Sequence, residues 1–138
     1  MDVIEMMLKA QEREPFPKLL GITCDEVKEG YARCKMVVTE KMLNIFGSAH
    51  GGAVFSLLDE SFQLACNSHG KVAVALNLSI TYVKGALPGD ILISEVVEKS
   101  RTNRTAVYDA SVKNGEGELV ATGQAQAYRK KEAPEFLR

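Results

Sequence analysis

One stretch, residues 44–67, combines a loop of small residues with the clearest helical pattern in the chain. After Gly51-Gly52, apolar or small residues recur three and four positions apart, which is the spacing of one buried helix face. That face comprises Val54, Leu57, Leu58, Ser61, Phe62 and Ala65. Asp59 lies beside the two leucines, whereas Glu60 turns about 100° away and is interpreted as a surface acid. The pattern predicts a helix over about residues 51–67 that carries a buried carboxylate.

The glycine pair at the start of this helix has a chemical consequence. Gly51 and Gly52 leave backbone N–H groups without intrahelical partners and let another molecule approach closely. The helix dipole makes the same end attractive to negative charge. The two glycines could also be ordinary turn residues. The loop is therefore a candidate oxyanion-binding site, with Asp59 as a carboxylate on the same element.

Most of the remaining chain alternates between apolar and polar residues, as half-buried strands do. A short helix over about residues 2–12 precedes a predicted hairpin, whose second strand spans residues 31–38. Further strands are predicted over residues 72–83, 91–98, 106–112 and 119–128, followed by a frayed tail over about 130–138. The residues on one face of the last strand are small enough for a helix to pack closely against the sheet. They are Ala121, Gly123, Ala125 and Ala127. We expect one α+β domain, residues 1–138, in which an antiparallel sheet wraps around the central helix.

The charges of the 138-residue chain nearly balance, with 17 Lys plus Arg against 18 Asp plus Glu. Such a balance creates no overall field that would favour nucleic acid or an anionic membrane as partner. No apolar run approaches the ~20 residues that span a bilayer, and the first residues lack the basic segment of a signal peptide. We therefore expect a cytoplasmic protein. Three cysteines far apart in sequence favour reduced thiols, and no zinc or P-loop pattern indicates a metal or nucleotide cofactor.

The spacing of polar residues in the central stretch is distinctive. His50-Gly51-Gly52 begins six residues after Asn44, and Asp59 follows the histidine by nine. The same pattern continues with Phe62, Ala65, Cys66 and Asn67. It resembles the signature of hotdog-fold acyl-CoA thioesterases of the phenylacetate-degradation (PaaI) type, and the likeness extends from about residue 19 to about residue 128. The resemblance implies a hotdog fold and hydrolysis of aryl, phenylacetyl-type or medium-chain acyl-CoA, with coenzyme A as part of the substrate and no separate cofactor.

Hydrolysis of a thioester needs a polarised carbonyl and either an activated water or a nucleophilic side chain. The Gly51 N–H is placed to bind the carbonyl oxygen as negative charge develops on it. Asp59 is the candidate general base or nucleophile, with a pKa raised by an apolar setting. By resemblance, Asn44 orients the attacking water or holds the loop, and His50 positions the loop. Gly52 allows the substrate to approach closely.

Other candidate substrate-binding residues lie on the strands. Some relatives carry Ser or Thr where this chain has Ala75, and Asn77, two residues along on the same predicted strand face, is the candidate replacement. Tyr82 could line a flat pocket with other aromatic residues, or all of them could pack in the core. Those other aromatic residues are Phe46, Phe55 and Phe62. Coenzyme A phosphates need cations; the candidates, which could equally be ordinary solvated charges, are Lys84, Lys99, Arg101 and Arg104.

Spacing also constrains how the two central groups could meet. Gly51 and Asp59 are eight residues apart, which on a helix is about 12 Å. One thioester carbon cannot lie about 3 Å from both groups within a single subunit. Two antiparallel copies of the helix would bring Gly51 of one chain to Asp59 of the other. We therefore expect a homodimer that shares its active sites, within a homotetramer whose arrangement the sequence leaves open.

Two other functions remain open. A hotdog hydratase or dehydratase that acts on an enoyl or 3-hydroxyacyl thioester would pair a histidine with a carboxylate, and His50 and Asp59 provide both residue types. The second alternative is a non-catalytic acyl-CoA-binding module, although regulators of that kind carry a DNA-binding helix-turn-helix for which this chain has no room. Serine-hydrolase chemistry is disfavoured because Ser48 misses the G-x-S-x-G spacing by one residue.

Overall fold

The computed structural model describes residues 1–137. The α-helices in this range are α1 (Val3–Glu12), α2 (Pro15–Leu20) and α3 (Gly51–Cys66). The strands are β1 (Thr23–Lys28), β2 (Tyr31–Val37), β3 (Ala73–Tyr82), β4 (Ile91–Arg101), β5 (Thr105–Asn114) and β6 (Leu119–Arg129). Short 3-10 turns occur at Glu40–Met42 and Glu135–Leu137. Within residues 1–137, no helix is both long and apolar enough to cross a bilayer.

Two helices, rather than the one predicted, precede the first strand. Asp2 caps α1 by accepting a hydrogen bond from the Glu5 N–H, and the Glu5 side chain accepts one from the Asp2 N–H in return, which is a capping box. α1 ends at the cap residue Arg13, and Pro15 then begins α2, because a proline at the first helical position loses no hydrogen bond. Gly21, in the left-handed conformation with φ 67°, ends α2.

The six strands form one antiparallel sheet in the order β1-β2-β4-β5-β6-β3. α3 packs across one face of this sheet, mainly against β2, β4, β3 and β5. Its inward side chains, among them Leu57, Leu58 and Phe62, are buried in the core. The predicted α+β hotdog architecture is therefore confirmed. The strand ends differ from the predictions by a few residues; β4, for example, continues to Arg101.

β3 lies at one edge of the sheet and is exposed on both of its faces for most of its length. Its accessible apolar side chains include Val74, Leu76 at 56% of full exposure and Tyr82 at 51%. An edge strand with exposed apolar side chains and unpaired backbone groups is a ready template for pairing with another strand. The single chain thus leaves one edge of its sheet uncovered.

β6 lies between β5 and β3 and turns small residues toward the core, as predicted. Ala121, Ala125 and Ala127 are buried. Gly123 is small for another reason, because a Cβ atom there would lie 2.4 Å from the carbonyl oxygen of Ser79 in β3. The close approach of two strand backbones, rather than of the helix, therefore requires glycine at this position.

The structure describes residues 130–137 of the predicted frayed tail, and this part hydrogen-bonds to the segment before β3. The Lys130 N–H donates to the Val72 carbonyl (2.8 Å), and the Val72 N–H donates to the Glu132 carbonyl (2.9 Å). The turn at Glu135–Leu137 packs against α1. Residues 130–137 are therefore joined to the body of the fold, and Arg138 lies outside the described residues.

The cysteines are free thiols, as predicted. Cys24 and Cys34 are nevertheless close together, because β1 and β2 pair them directly across the hairpin. A hydrogen bond with Cys24, followed by burial, raises the pKa of Cys34, and burial raises the pKa of Cys66 to about 12. Cys34 and Cys66 therefore stay protonated at neutral pH and are poor nucleophiles.

Candidate active site

The N-terminus of α3 carries a backbone N–H that the fold leaves unused. His50 caps the helix, since its Nδ1 accepts a hydrogen bond from the Gly52 N–H (3.0 Å). The carbonyl of His50 accepts from the N–H groups of Ala53 and Val54. Among residues 1–137, no group accepts a hydrogen bond from the Gly51 N–H. This N–H lies at the positive end of the helix dipole and is free to bind an oxyanion.

Asn44 organises the loop that leads to α3. Its Oδ1 accepts hydrogen bonds from the N–H groups of Phe46 (2.9 Å) and Ser48 (3.1 Å). Its own N–H donates to the Ser48 carbonyl (2.8 Å), and its carbonyl accepts from the Gly47 N–H (3.1 Å). Gly47 has a positive φ of 81°, which favours glycine at this turn. The resemblance implies that Asn44 either orients the attacking water or holds the loop. The contacts within this chain are those of a residue that holds the loop.

A cleft of 370 Å³ opens beside the free N–H. It is lined by four of the predicted site residues, namely Asn44, Gly51, Tyr82 and Lys84. The other lining residues are Phe46, Ser48, Ala49, Val54, Val83, Gly85, Ala86 and Val120. The predicted pocket aromatics divide between cleft and core: Phe46 lines the cleft, whereas Phe62 packs edge-on against Tyr108 with ring centroids 5.5 Å apart.

Tyr82, the last residue of β3, covers the start of α3. Its hydroxyl donates a hydrogen bond to the Gly51 carbonyl (2.8 Å). A Cβ atom at position 51 would lie 3.1 Å from both Cζ and the hydroxyl oxygen of Tyr82. Glycine at this position therefore lets the tyrosine ring lie over the first turn of the helix, where the ring forms one wall of the cleft.

Asp59 lies on the outer face of α3 and is exposed. It shares that outer face with Gly52, Ser56 and Gln63, which follow the four-and-three spacing of one helix side. The surrounding protein still removes part of the hydration of the carboxyl group, and this desolvation, followed by the negative charge of Glu14, raises the pKa of Asp59. The predicted direction of the pKa shift is confirmed, but the prediction of a buried carboxylate is wrong for the single chain.

A sequence profile described as the thioesterase superfamily matches residues 46–121, which is more than half of the chain. This chain belongs to the thioesterase superfamily. The acyl-coenzyme A thioesterase PaaI of Escherichia coli is 36% identical over 118 residues, which cover 86% of this chain and 84% of that protein. A putative esterase of Archaeoglobus fulgidus is 46% identical over 112 residues, which cover 81% of this chain and 73% of that protein.

Solved structures show the same relationship. The Escherichia coli PaaI protein, from the phenylacetic acid degradation operon, matches with a TM-score of 0.90 at 33% identity, over 94% of both chains. A Streptococcus mutans protein bound to acetyl CoA matches with a TM-score of 0.78 at 29% identity, over 82% of this chain and 91% of that one. The resemblance to PaaI-type hotdog thioesterases that the sequence motif indicated is confirmed.

In this thioesterase, Asn77 does not occupy the sheet face of Ala75. A β-bulge interrupts β3 between them, so that Ala75 pairs with Ala127 whereas Asn77 pairs with Gln126. Directly paired residues lie on the same face of a sheet. Ala127 is buried and Gln126 is exposed on the opposite face. The prediction that Asn77 follows Ala75 on one face is wrong, because the extra residue in the bulge reverses the alternation.

Lys84 follows β3 and is the predicted cation that lies at the cleft beside Gly51. Its Nζ lies 2.5 Å from Oε2 of Glu118, and both side chains are close to half exposed. An ion pair of this exposure contributes little to stability. The ammonium group is therefore able to exchange its partner for an incoming anion.

The other three predicted cations lie at the opposite end of the sheet, near the C-terminus of α3. Lys99 forms an ion pair with Asp109, with Nζ and Oδ2 3.6 Å apart. Arg101 contacts the ring of His69, which follows α3, and Arg104 lies in the turn between β4 and β5. A single chain therefore does not gather these cations and Lys84 around one phosphate group.

Glu60 is a polar residue of α3 that sequence reasoning misplaced. The sequence predicts a surface acid, and this prediction is wrong, because Glu60 is only 7% exposed. It belongs to a buried stripe with Ala53, Leu57 and Leu64, and its Oε2 accepts a hydrogen bond from Gln11 of α1 (3.2 Å). The four-three-four spacing of that stripe is visible in the sequence and would have placed Glu60 inward. Within residues 1–137, no three His, Cys, Asp or Glu side chains are arranged to hold a metal ion.

Proposed function

We propose that this chain hydrolyses acyl-coenzyme A thioesters to a free acid and coenzyme A. The observation that carries the proposal is the free Gly51 N–H at the N-terminus of α3, beside a cleft. Membership of the thioesterase superfamily supports the reaction class. The name of the Escherichia coli relative and the acetyl CoA bound to the Streptococcus mutans protein support the substrate. The proposed acyl group is aryl, phenylacetyl-type or medium-chain, and no separate cofactor takes part.

The proposed reaction uses one oxyanion donor and one carboxylate. The Gly51 N–H and the helix dipole stabilise negative charge on the thioester oxygen. Asp59 either takes a proton from the attacking water or attacks the carbonyl carbon itself, forming an anhydride that water then cleaves. In both cases the tetrahedral intermediate collapses with loss of the coenzyme A thiolate. The raised pKa of Asp59 strengthens it as a proton acceptor.

We propose further that two subunits share each site. α3 is continuous from Gly51 to Cys66, so eight residues, or about 12 Å, separate Gly51 from Asp59 within one chain. Pairing of the exposed β3 edges across a two-fold axis would extend the sheet and set the two α3 helices antiparallel. Gly51 of one subunit would then face Asp59 of the partner subunit. Two such dimers form the proposed homotetramer, which we place in the cytoplasm.

The same pairing would complete a cationic site for the phosphates of coenzyme A. In an antiparallel dimer, the far end of one sheet lies beside the near end of the other. Arg101 and Arg104 of the partner subunit would then approach Lys84 at the cleft, with Lys99 of the partner subunit close by. Charge-assisted hydrogen bonds from such a group are strong enough to hold a phosphate.

Release of free thiol from a panel of aromatic and aliphatic acyl-CoAs tests the proposed function. We expect turnover by the wild type and a fall of about 10²-fold or more in Asp59→Asn, the scale for losing a general base. Asp25→Asn, at an exposed acid paired with Arg33 and Lys35, is the matched control and should retain wild-type turnover. A chelator should leave the rate unchanged.

Hydration of an enoyl-CoA without thiol release would overturn the hydrolase proposal in favour of a hydratase. Binding of acyl-CoA without turnover would show that the chain is a binding module.

A further inference from the structure

A crossed set of side chains joins the N-terminal helices to α3 close to Asp59. Gln11 Nε2 donates to Glu60 Oε2 (3.2 Å), and Gln63 Nε2 donates to Glu14 Oε2 (2.8 Å). Gln11 and Glu14 are three residues apart in sequence, as are Glu60 and Gln63, so both hydrogen bonds join the same two short stretches of the chain. These two bonds bring the Glu14 and Glu60 side chains to the same junction, where Glu14 acts on Glu60 both as a hydrogen-bond partner and as a negative charge.

One oxygen atom in this set has no partner. Glu14 Oε1 is inaccessible to solvent, and among residues 1–137 no group donates a hydrogen bond to it. Ionised carboxylates only accept hydrogen bonds, so two ionised groups side by side cannot satisfy each other. A proton on Glu60 supplies the missing donor, because its O–H can then donate to Glu14 Oε1.

The surroundings favour retention of this proton. Glu60 is buried, and the titratable groups that face it are Glu14, Asp59 on its own helix and Cys34 on β2. None of these groups can carry a positive charge that would stabilise a second carboxylate. Burial, followed by the hydrogen bond and charge of Glu14, raises the pKa of Glu60 to about 8. At neutral pH the pair therefore carries one negative charge rather than two.

We infer that Glu14 and Glu60 share one proton, and that this carboxyl pair positions Asp59 for hydrolysis; the second part rests on the proposed function. The hydrogen bonds hold the middle of α3 against the N-terminal helices, which orients the turn that carries Asp59. The remaining negative charge near Asp59 raises the pKa of its carboxyl group. A carboxylate with a higher pKa is a better general base.

Loss of the shared proton has a predictable effect on stability. The folded protein keeps it up to a pH near 8, whereas an unfolded glutamate ionises near about 4.3. The free energy of unfolding therefore falls as the pH rises from about 4.3 toward 8, because the folded state binds the extra proton. Above that range two adjacent carboxylates repel each other, and α1 and α2 are held less firmly against α3.

Carboxyl ¹³C NMR of the wild-type protein tests the shared proton directly, and Glu60→Gln assigns the signal. We expect one glutamate signal to titrate near 8 and to be missing in Glu60→Gln. That variant keeps an N–H donor for Glu14 Oε1, so it should also lose the fall in thermal stability between about pH 4.3 and pH 8. Glu29→Gln, at an exposed acid in the β1–β2 turn, should keep both the signal and the fall. Titration of every glutamate below about 6 would overturn the inference.

The positioning role is tested by the pH dependence of kcat/KM for thiol release. Glu14→Gln removes the negative charge near Asp59 and should shift the acid limb to lower pH by about half a unit or more, while Glu29→Gln leaves it in place. An unshifted acid limb in Glu14→Gln would overturn the positioning of Asp59. Absence of thiol release from the wild type at every pH would instead overturn the proposed function, and the NMR titration would still decide the shared proton.

Discussion

The hydroxyl of Tyr82 lies 2.8 Å from the carbonyl oxygen of Gly51 and donates a hydrogen bond to it. This bond ties the end of the edge strand β3 to the first turn of α3. The residue that ends the strand therefore also orients the backbone that carries the proposed oxyanion donor. Through this contact, the strand edge proposed for dimerisation and the proposed catalytic N–H are directly connected.

Removal of that hydroxyl in Tyr82→Phe should lower kcat/KM for thiol release by about 2- to 10-fold, which corresponds to the ~0.5–1.5 kcal/mol of a neutral hydrogen bond. The ring and its packing are retained, so the melting temperature should change by no more than about 2 °C. Tyr128→Phe, on an exposed tyrosine of β6, is the matched control and should behave as wild type. Full activity of Tyr82→Phe would show that the bond does not align the donor.

A side chain at position 51 should harm activity more than stability. The new Cβ atom in Gly51→Ala would lie 3.1 Å from the Tyr82 ring and displace it from the first turn of α3. We expect a loss of about 10-fold or more in kcat/KM, because a small misplacement of an oxyanion donor is costly. Gly115→Ala, where a Cβ atom meets nothing within 4 Å, is the control for a glycine substitution. Gly51→Ala with wild-type kinetics would contradict the close fit between the tyrosine and the helix.

Complementation between two inactive variants tests the shared site. Gly51→Pro removes the N–H and is compatible with the backbone. His50 already has the extended conformation (φ −60°, ψ 138°) that a residue before proline needs, and proline is tolerated at a first helical position. Co-refolding Gly51→Pro with Asp59→Asn should restore about a quarter of wild-type thiol release, since about half of random dimers are mixed and each has one intact site. A co-refolded mixture as inactive as either parent would count against sharing.

Gly123→Ala should destabilise the fold rather than act on the site. Its Cβ atom would lie 2.4 Å from the Ser79 carbonyl oxygen, and both strands are held in the sheet on either side of the contact. We expect the free energy of unfolding in urea to fall by about 2 kcal/mol or more, the scale of overpacking against backbone. Gly115→Ala again provides the control, with a change within about 0.5 kcal/mol. Equal stability of the two variants would refute the close approach of β3 and β6.

Local patterns in the sequence predicted most of the fold correctly. The predicted helix over residues 51–67 corresponds to Gly51–Cys66, and the alternation predicted for residues 31–38 appears in β2, where every second side chain is buried. The contacts of Asn44 and His50 also act within a few residues of each other along the chain, as caps and turns do. Caps and turns form between residues that are close together in sequence, so the local sequence pattern is enough to predict them.

Long-range packing was not predictable in the same way. The spacing of its stripe marks Glu60 as inward, but the helical pattern did not show that α1 covers it, because the partner of a helix face comes from a distant segment of the chain. A bulge in β3 moved Asn77 to the other sheet face, and sheet register separated Lys84 from the remaining candidate cations. Each of these outcomes depends on pairing between segments that are distant in sequence.

The sequence by itself determined the family, the helix that carries Gly51 and Asp59, and the loop that leads to it, since periodicity, caps and turns are local. The tertiary structure alone decided which carboxylates meet. It placed Glu14 of the N-terminal segment against Glu60 of α3, with a buried oxygen that needs a shared proton. The physical reason is that burial and hydrogen-bond partners belong to the packed arrangement of distant segments, which no spacing along one segment specifies.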